Sequence, residues 1–147
     1  MINTNKINEA RAQIDSLASK NKKIILLSKD ENFNRKILEN KKIDIFLINE
    51  DIPKKDYSKQ RDSSLNESLC KLASKNNISI GIDIDKIIKK SDIGKARSLA
   101  RLKQNIMLCK KNKTKLIFTS KKPKKALQSL LITLGSNTNQ AKQSIDF

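Results

Sequence analysis

The chain has no histidine and no tryptophan, and its 147 residues include only three glycines, two cysteines, one tyrosine and four phenylalanines. Without histidine it lacks the commonest general base, the usual transition-metal ligand and every Ser-His or Cys-His nucleophile arrangement. Gly81, Gly94 and Gly135 stand alone, so there is neither a Walker A loop nor a dinucleotide fingerprint, and no cofactor bound by the protein is expected. Cys70 and Cys109 lie in apolar helical patterns far from a C-x-x-C spacing, which predicts buried thiols and no metal site. No apolar run approaches the roughly 20 residues of a membrane span, and residues 1–10 hold no signal-peptide stretch; a cytoplasmic protein without a membrane partner is expected. The scarcity of rings leaves little for stacking on bases.

Cations, by contrast, abound. There are 32 Lys and Arg against 15 Asp and Glu, a net charge of +17 and a pI near 10.0. Such a charge repels itself in the compact state, and a phosphate backbone relieves the repulsion by releasing its condensed counterions. The excess is uneven: residues 1–50 carry 10 basic and 7 acidic side chains, residues 51–100 carry 11 and 7, and residues 101–147 carry 11 and 1. From Arg101 to Ile145 there is no acid at all. A solubilising surface in a lysine-rich proteome is the bland explanation, but compositional drift alone does not remove the acids from one third. Contact with a polyanion through that third is expected.

Periodicity predicts alternating strands and helices in one domain over 1–147, with an opening helix within 1–21 and βα units over 22–147. Ile7, Ala10, Ile14 and Leu17 mark a helix over about 5–20, and Ile24–Leu27 a buried strand. A short helix around Phe33–Leu38, a strand over 43–48, a helix through Leu65, Leu69, Leu72 and Ala73, and a strand over 78–84 follow. The longest helix, about 93–111, has a seam of Leu99, Leu102, Ile106 and Cys109; a strand at 116–118, a helix over 126–134 that stops at Gly135, and a helix over 138–145 close the pattern. Four strands separated by helices imply an α/β protein with a parallel sheet, either a small open sheet or a truncated barrel.

Functional groups of such folds gather at the carboxyl ends of the strands. Asp51, Asp83 and Asp85 fall there and admit an enzyme reading, a metal-dependent phosphoesterase with Mg²⁺ on oxygen ligands. Helix capping and pairing with nearby lysines explain the same acids. On the long helix, Arg97, Arg101 and Gln104 recur at i, i+4 and i+7, flanked by Lys103 and Lys110, which reads as a phosphate-contacting face or as a solvated one. Thr119-Ser120-Lys121-Lys122-Pro123-Lys124-Lys125 joins a strand end to a helix start. Ser or Thr as N-cap, Pro123 early in the helix and four lysines favour an anion there.

Several stretches together resemble a known family. Asn34-Arg35-x-x-x-Glu39, Ile43-Asp44-Ile45, Asp62-Ser63-Ser64-Leu65-Asn66-Glu67-x-Leu69-x-x-Leu72-Ala73 and Asn77 to Asp83, continued by Arg97, Arg101, Asn105, Leu108-Cys109-Lys110, Thr119-Ser120, Leu134-Gly135 and Ala141, are similar in order and spacing to archaeal ribonuclease P protein component 3, counterpart of the eukaryotic 30-kilodalton subunit. The likeness covers about residues 22–145. It implies a TIM-like barrel of the polymerase-and-histidinol-phosphatase (PHP) type. It also implies a protein subunit of an endoribonuclease whose RNA holds the Mg²⁺ ions and removes 5′ leaders from precursor tRNA, together with component 2 and other protein subunits. The expected RNA contacts are Arg35, Arg97, Arg101, Lys103, Lys110, Lys111, Lys121, Lys122, Lys124 and Lys125, with no catalytic residue in this chain. A general RNA-binding or ribosome-associated module is the other rival. Two departures stand out: the family usually begins with further strand-helix units, so an incomplete or compressed barrel is expected, and its Arg-x-Pro-Arg stretch is here Lys-Lys-Pro-Lys-Lys. Point-charge phosphate binding transfers to these lysines; arginine-specific contacts do not.

Overall fold

The computed structural model describes residues 1–145. Its elements run α1 (Ile7–Ser19), β1 (Ile25–Leu27), α2 (Glu31–Leu38), β2 (Ile45–Leu47), α3 (Glu67–Lys75), β3 (Ser79–Asp83), α4 (Ile84–Ile88), α5 (Asp92–Lys111), β4 (Leu116–Thr119), α6 (Lys124–Thr133) and α7 (Thr138–Ile145). All four strands are parallel and lie in the order β1-β2-β3-β4. A doubly wound sheet reverses its order at a switch point. This one does not, so right-handed crossovers place the intervening helices on one face, and the sheet is an arc of a TIM-like barrel. Ahead of α1, Ile2 is buried and pairs in parallel with Leu26, its N–H donating to the Ile25 carbonyl at 2.8 Å and its carbonyl accepting from Leu27 N–H at 3.1 Å.

The two faces of the sheet differ. Leu26, Phe46, Ile80 and Leu116 align across the strands, with Ile82 beside Phe118, and pack into the main core with Ala10, Ile14, Ile37, Leu69, Ile106 and Leu131. On the other face Leu27, Leu47, Gly81 and Ile117 align. Leu27, Ile45 and Ile117 are buried there without joining the helix-backed core. Gly81 permits this, because a Cβ at 81 would stand 2.8 Å from Ile45 Cγ2 and 3.1 Å from Leu47 Cδ1.

Helix starts follow from side chains that accept otherwise unpaired N–H groups. Asp30 caps α2 by accepting from Phe33 N–H at 2.9 Å, Asn66 caps α3 from Leu69 N–H at 2.9 Å, and Asp83 caps α4 from Lys86 N–H at 3.3 Å. Gly135, at φ 104°, closes α6 as expected, and Ser136 N–H reaches back to the Leu131 carbonyl at 2.9 Å. Cys70 and Cys109 are buried free thiols on α3 and α5; a hydrogen bond between them, burial and their mutual repulsion on ionisation hold the Cys109 thiol protonated.

One helix was not expected, and two expectations are corrected. Helix α4 has no counterpart in the periodicity, since five residues are too few to display a helical repeat. Pro123, not Ser120 or Thr119, occupies the N-cap of α6, and no side chain caps that helix. Leu99 is only half-buried on α5, whose buried face is Ser98, Arg101, Leu102, Asn105, Ile106 and Cys109, because the segment over 50–64 packs there and supplies polar partners.

Candidate nucleic-acid interface

The carboxyl ends of the strands lead into Ser28, Asn49-Glu50, Asp83 and Thr119-Ser120, and an irregular segment from 50 to 66 folds over that edge. Buried ion pairs hold it down. Glu50, with a side chain 4% exposed, accepts from Lys90 Nζ at 2.8 Å and from Ser98 Oγ at 3.1 Å, and pairs with Lys54 Nζ at 3.5 Å; the Lys54 side chain is 2% exposed. Burial works to raise the Glu50 carboxyl, but Lys54, then Lys90, then Ser98 outweigh it and hold it below the ordinary carboxylate value. Burial pushes the Lys54 ammonium down despite Glu50, helped by the charge of Arg101.

Arg101 is a correction. It is buried, not part of a solvent-facing phosphate grip: Nε donates to Asp56 Oδ1 at 3.0 Å and Nη2 to Asp56 Oδ2 at 3.1 Å. Against the upward push of burial, those bonds and the guanidinium charge hold the Asp56 carboxyl below its ordinary value. Gln104, one turn on, is committed as well, donating to the Arg61 carbonyl at 3.0 Å and accepting from Arg61 N–H at 3.2 Å. Arginine and glutamine at i, i+3 look the same in sequence whether they face RNA or a loop of their own chain. The missed signal was Asp56, an acid in an otherwise irregular stretch.

The other expected contacts are exposed but not assembled in one place. Lys121, Lys122, Lys124 and Lys125 follow β4 at the carboxyl edge. Ser120 Oγ–H donates to Asp85 at 2.6 Å and Lys121 N–H to the same carboxylate at 2.8 Å, so the backbone cradle expected to meet an anion already meets one, supplied by α4. The Ser120 and Lys121 bonds lower the Asp85 carboxyl, against slight burial, with Lys89 and Lys121 charges adding to them. Lys110 belongs to the opposite end of the sheet, where it lines a cavity of about 730 Å³ with Lys113, Lys115 and Lys142 between the end of α5, the start of β4 and α7. Lys103 and Lys111 border a shallow groove with Arg61 and the exposed Met107, and Lys111 pairs with Glu67 at 3.0 Å. Arg97 is exposed on the first half of α5, and Arg35 is exposed between α2 and α3 beside Glu31 and Glu39.

The acids of the enzyme reading are separately engaged. Asp51 pairs with Lys86, Asp83 caps α4, and Asp85 holds the Ser120-Lys121 turn. Among the described residues no group of three or more Cys, Asp or Glu is placed to hold a metal ion, and no helix is long and apolar enough to cross a membrane.

No family model matches the chain. Two curated relatives do, both named ribonuclease P protein component 3: one from Methanococcus vannielii, 29% identical over 117 residues covering 80% of this chain and 48% of the relative, and one from Methanococcoides burtonii, 35% identical over 91 residues covering 62% and 34%. The resemblance read from the motifs is thus borne out. The chain spans about half or less of the length of these relatives. A chain in the cryo-EM structure of archaeal ribonuclease P with mature tRNA shares the fold, with a TM-score of 0.78 and 22% identity over 95% of this chain and 60% of that one. The TIM-like arc of this chain thus has the same fold as part of that longer chain.

Proposed function

Starting from this similarity to ribonuclease P protein component 3, we propose that the chain is a non-catalytic, RNA-binding subunit of ribonuclease P. It acts in the cytoplasm alongside component 2 and other protein subunits, in an assembly whose RNA cleaves 5′ leaders from precursor tRNA and holds the Mg²⁺ ions. The observation that carries the reading is the exposed run Lys121, Lys122, Lys124 and Lys125 at the edge where TIM-like folds present their working groups. The carboxylate drawn toward that run, Asp85, is held by Ser120 and Lys121. Lysines there meet phosphates as point charges, positioning RNA without reading its bases. Lys110, Lys113, Lys115 and Lys142 offer a second contact at the far end of the sheet. Two cationic ends on one rigid arc suit a subunit that braces separate RNA segments rather than one that encloses a substrate.

The enzyme reading has no support in the geometry, because its three acids are tied to Lys86, to the α4 N-terminus and to the Ser120-Lys121 turn. Reconstitution tests the proposal: precursor-tRNA cleavage is measured with cognate RNA and partner proteins, with and without this chain. Selective stimulation is expected. Hydrolysis of a generic phosphodiester by the chain alone, or no stimulation, would refute it.

A further inference from the structure

Of the aromatic rings among the described residues, Phe33, Phe46 and Phe118 are buried in the core, whereas Tyr57 is 66% exposed. It stands on the 50–66 segment at the rim of a cavity of about 690 Å³, within the size range of small-ligand sites. The ring is not on a loose loop. Asp56, before it, is clamped to α5 by the two Arg101 bonds, and Arg61, after it, by the two Gln104 bonds, while Tyr57 N–H donates to the Gln60 carbonyl at 3.0 Å. Residues 57–60 thus form a short projection pinned at both ends, which lowers the ordering cost of placing anything against the ring.

The lining states what fits. Ile52, Pro53 and Leu65 give the cavity an apolar wall beside the tyrosine. Lys29 and Arg61 are offset by Asp30, Glu31 and Asp62, so the interior is not cationic and does not suit a phosphate. It suits the flat, neutral part of a nucleotide, with carboxylates able to accept from exocyclic amino groups. Lys55 and Lys59 are exposed on the same segment, and Arg61, half-exposed and 3.8 Å from Asp56, lines the cavity itself, so the segment carries cations that flanking phosphates can meet.

We propose that this cavity takes one unpaired nucleobase of the RNA, stacked on Tyr57, with bases that carry an amino group favoured over uracil. The inference rests on the RNA-binding reading and adds a base-contacting site to it. It also gives Arg101 and Gln104 a role as positioning residues for the platform.

The full chain has one tyrosine and no tryptophan, so its intrinsic emission reports on Tyr57. Emission is followed while a short single-stranded oligoadenylate, an oligouridylate or a blunt RNA duplex of equal length is added, and affinities are measured in parallel with end-labelled RNA. Oligoadenylate should quench the tyrosine, and oligouridylate should bind more weakly. The duplex should bind with a steep salt dependence and leave the emission unchanged. Tyr57→Ala should weaken oligoadenylate binding about tenfold, whereas Tyr57→Phe, which keeps the stacking surface, should retain it. Binding without quenching, or equal affinity of the Tyr57→Ala variant and the parent chain, overturns the base site alone. Absence of binding to every RNA overturns it together with the subunit reading.

Discussion

Replacing Glu50 by glutamine keeps the shape of the side chain and removes the charge that answers Lys54 and Lys90. Lys90, a quarter exposed, can turn to water; Lys54, whose side chain is 2% exposed, cannot. Removing one partner of a buried ion pair typically costs about 3–5 kcal/mol, because the other charge stays buried. With Ser98 and Lys90 still able to donate to the new amide oxygen, the lower end, about 3 kcal/mol, is expected. For a domain of this size that is a drop in melting temperature of roughly 6–12 °C. Circular dichroism at 222 nm through a thermal ramp reads it, and a urea titration checks that the slope is unchanged. The double variant Glu50→Gln/Lys54→Met should recover most of the loss, since replacing both partners by uncharged groups removes the buried charge itself. A Glu50→Gln variant within about 1 kcal/mol of the parent, or no recovery in the double variant, would refute the claim that this ion pair secures the 50–66 segment.

The same acids set a pH dependence. Glu50 and Asp56 have folded-state values below their unfolded ones, so their contribution is complete above the ordinary carboxylate range of about 4 and is lost as pH falls through the lowered folded values. Melting temperature should fall as pH drops below about 4, and less steeply in an Asp56→Asn variant. Alanine at Lys121, Lys122, Lys124 and Lys125 together should flatten the plot of log affinity for duplex RNA against log salt by up to about 3–4, and an unchanged slope would remove that loop from the interface. Gly81→Ala must displace the Ile45 methyl or the strand, because the new Cβ would lie 2.8 Å from it; a loss of about 1–3 kcal/mol in urea unfolding is expected.

Strand positions were legible because each strand is a short apolar run between helical repeats, and those at 24–27, 78–84 and 116–118 meet β1, β3 and β4 to within a residue or two. Whether they formed an open sheet or a barrel arc was not, since strand order depends on which faces the helices bury and not on local pattern. The charge asymmetry of the last third was plain from counting. Its spatial meaning was not: Lys110 and Lys121 are only eleven residues apart, yet β4 runs between them and carries them to opposite ends of the sheet. Arg101 was misread because an arginine salt-bridged to a loop and an arginine awaiting phosphate have the same helical spacing. Tyr57 was passed over because a single ring carries no periodic signal; its meaning comes from the two clamps that flank it.

Asp85 decides how the lysine loop works. Its carboxylate takes the Ser120 hydroxyl at 2.6 Å and the Lys121 N–H at 2.8 Å, the donors that a phosphate oxygen would use, and Lys89 and Lys121 add their charge to the same spot. Two roles follow from this geometry, and they move affinity in opposite directions. If the carboxylate only orders the loop, weakening it loosens the lysines and RNA binding falls. If it stands in for a phosphate in the free protein, RNA must displace it, and removing its charge lifts a competitor and adds one net positive charge. Asp85 is half-buried at the surface and the turn keeps a further bond of its own, Lys122 N–H to Ser120 Oγ at 3.1 Å, so the loop does not depend on the carboxylate alone. Displacement is therefore the expected role. Asp85→Asn, which removes the charge, keeps one acceptor oxygen for the Lys121 N–H and turns its amide NH2 toward the Ser120 hydroxyl oxygen, should bind duplex RNA a few-fold more tightly at low salt with the gain fading as salt rises, measured by anisotropy against the parent chain. Equal or weaker binding at every salt concentration would make Asp85 a loop brace and leave Lys121 to Lys125 as the sole anion contact at this edge.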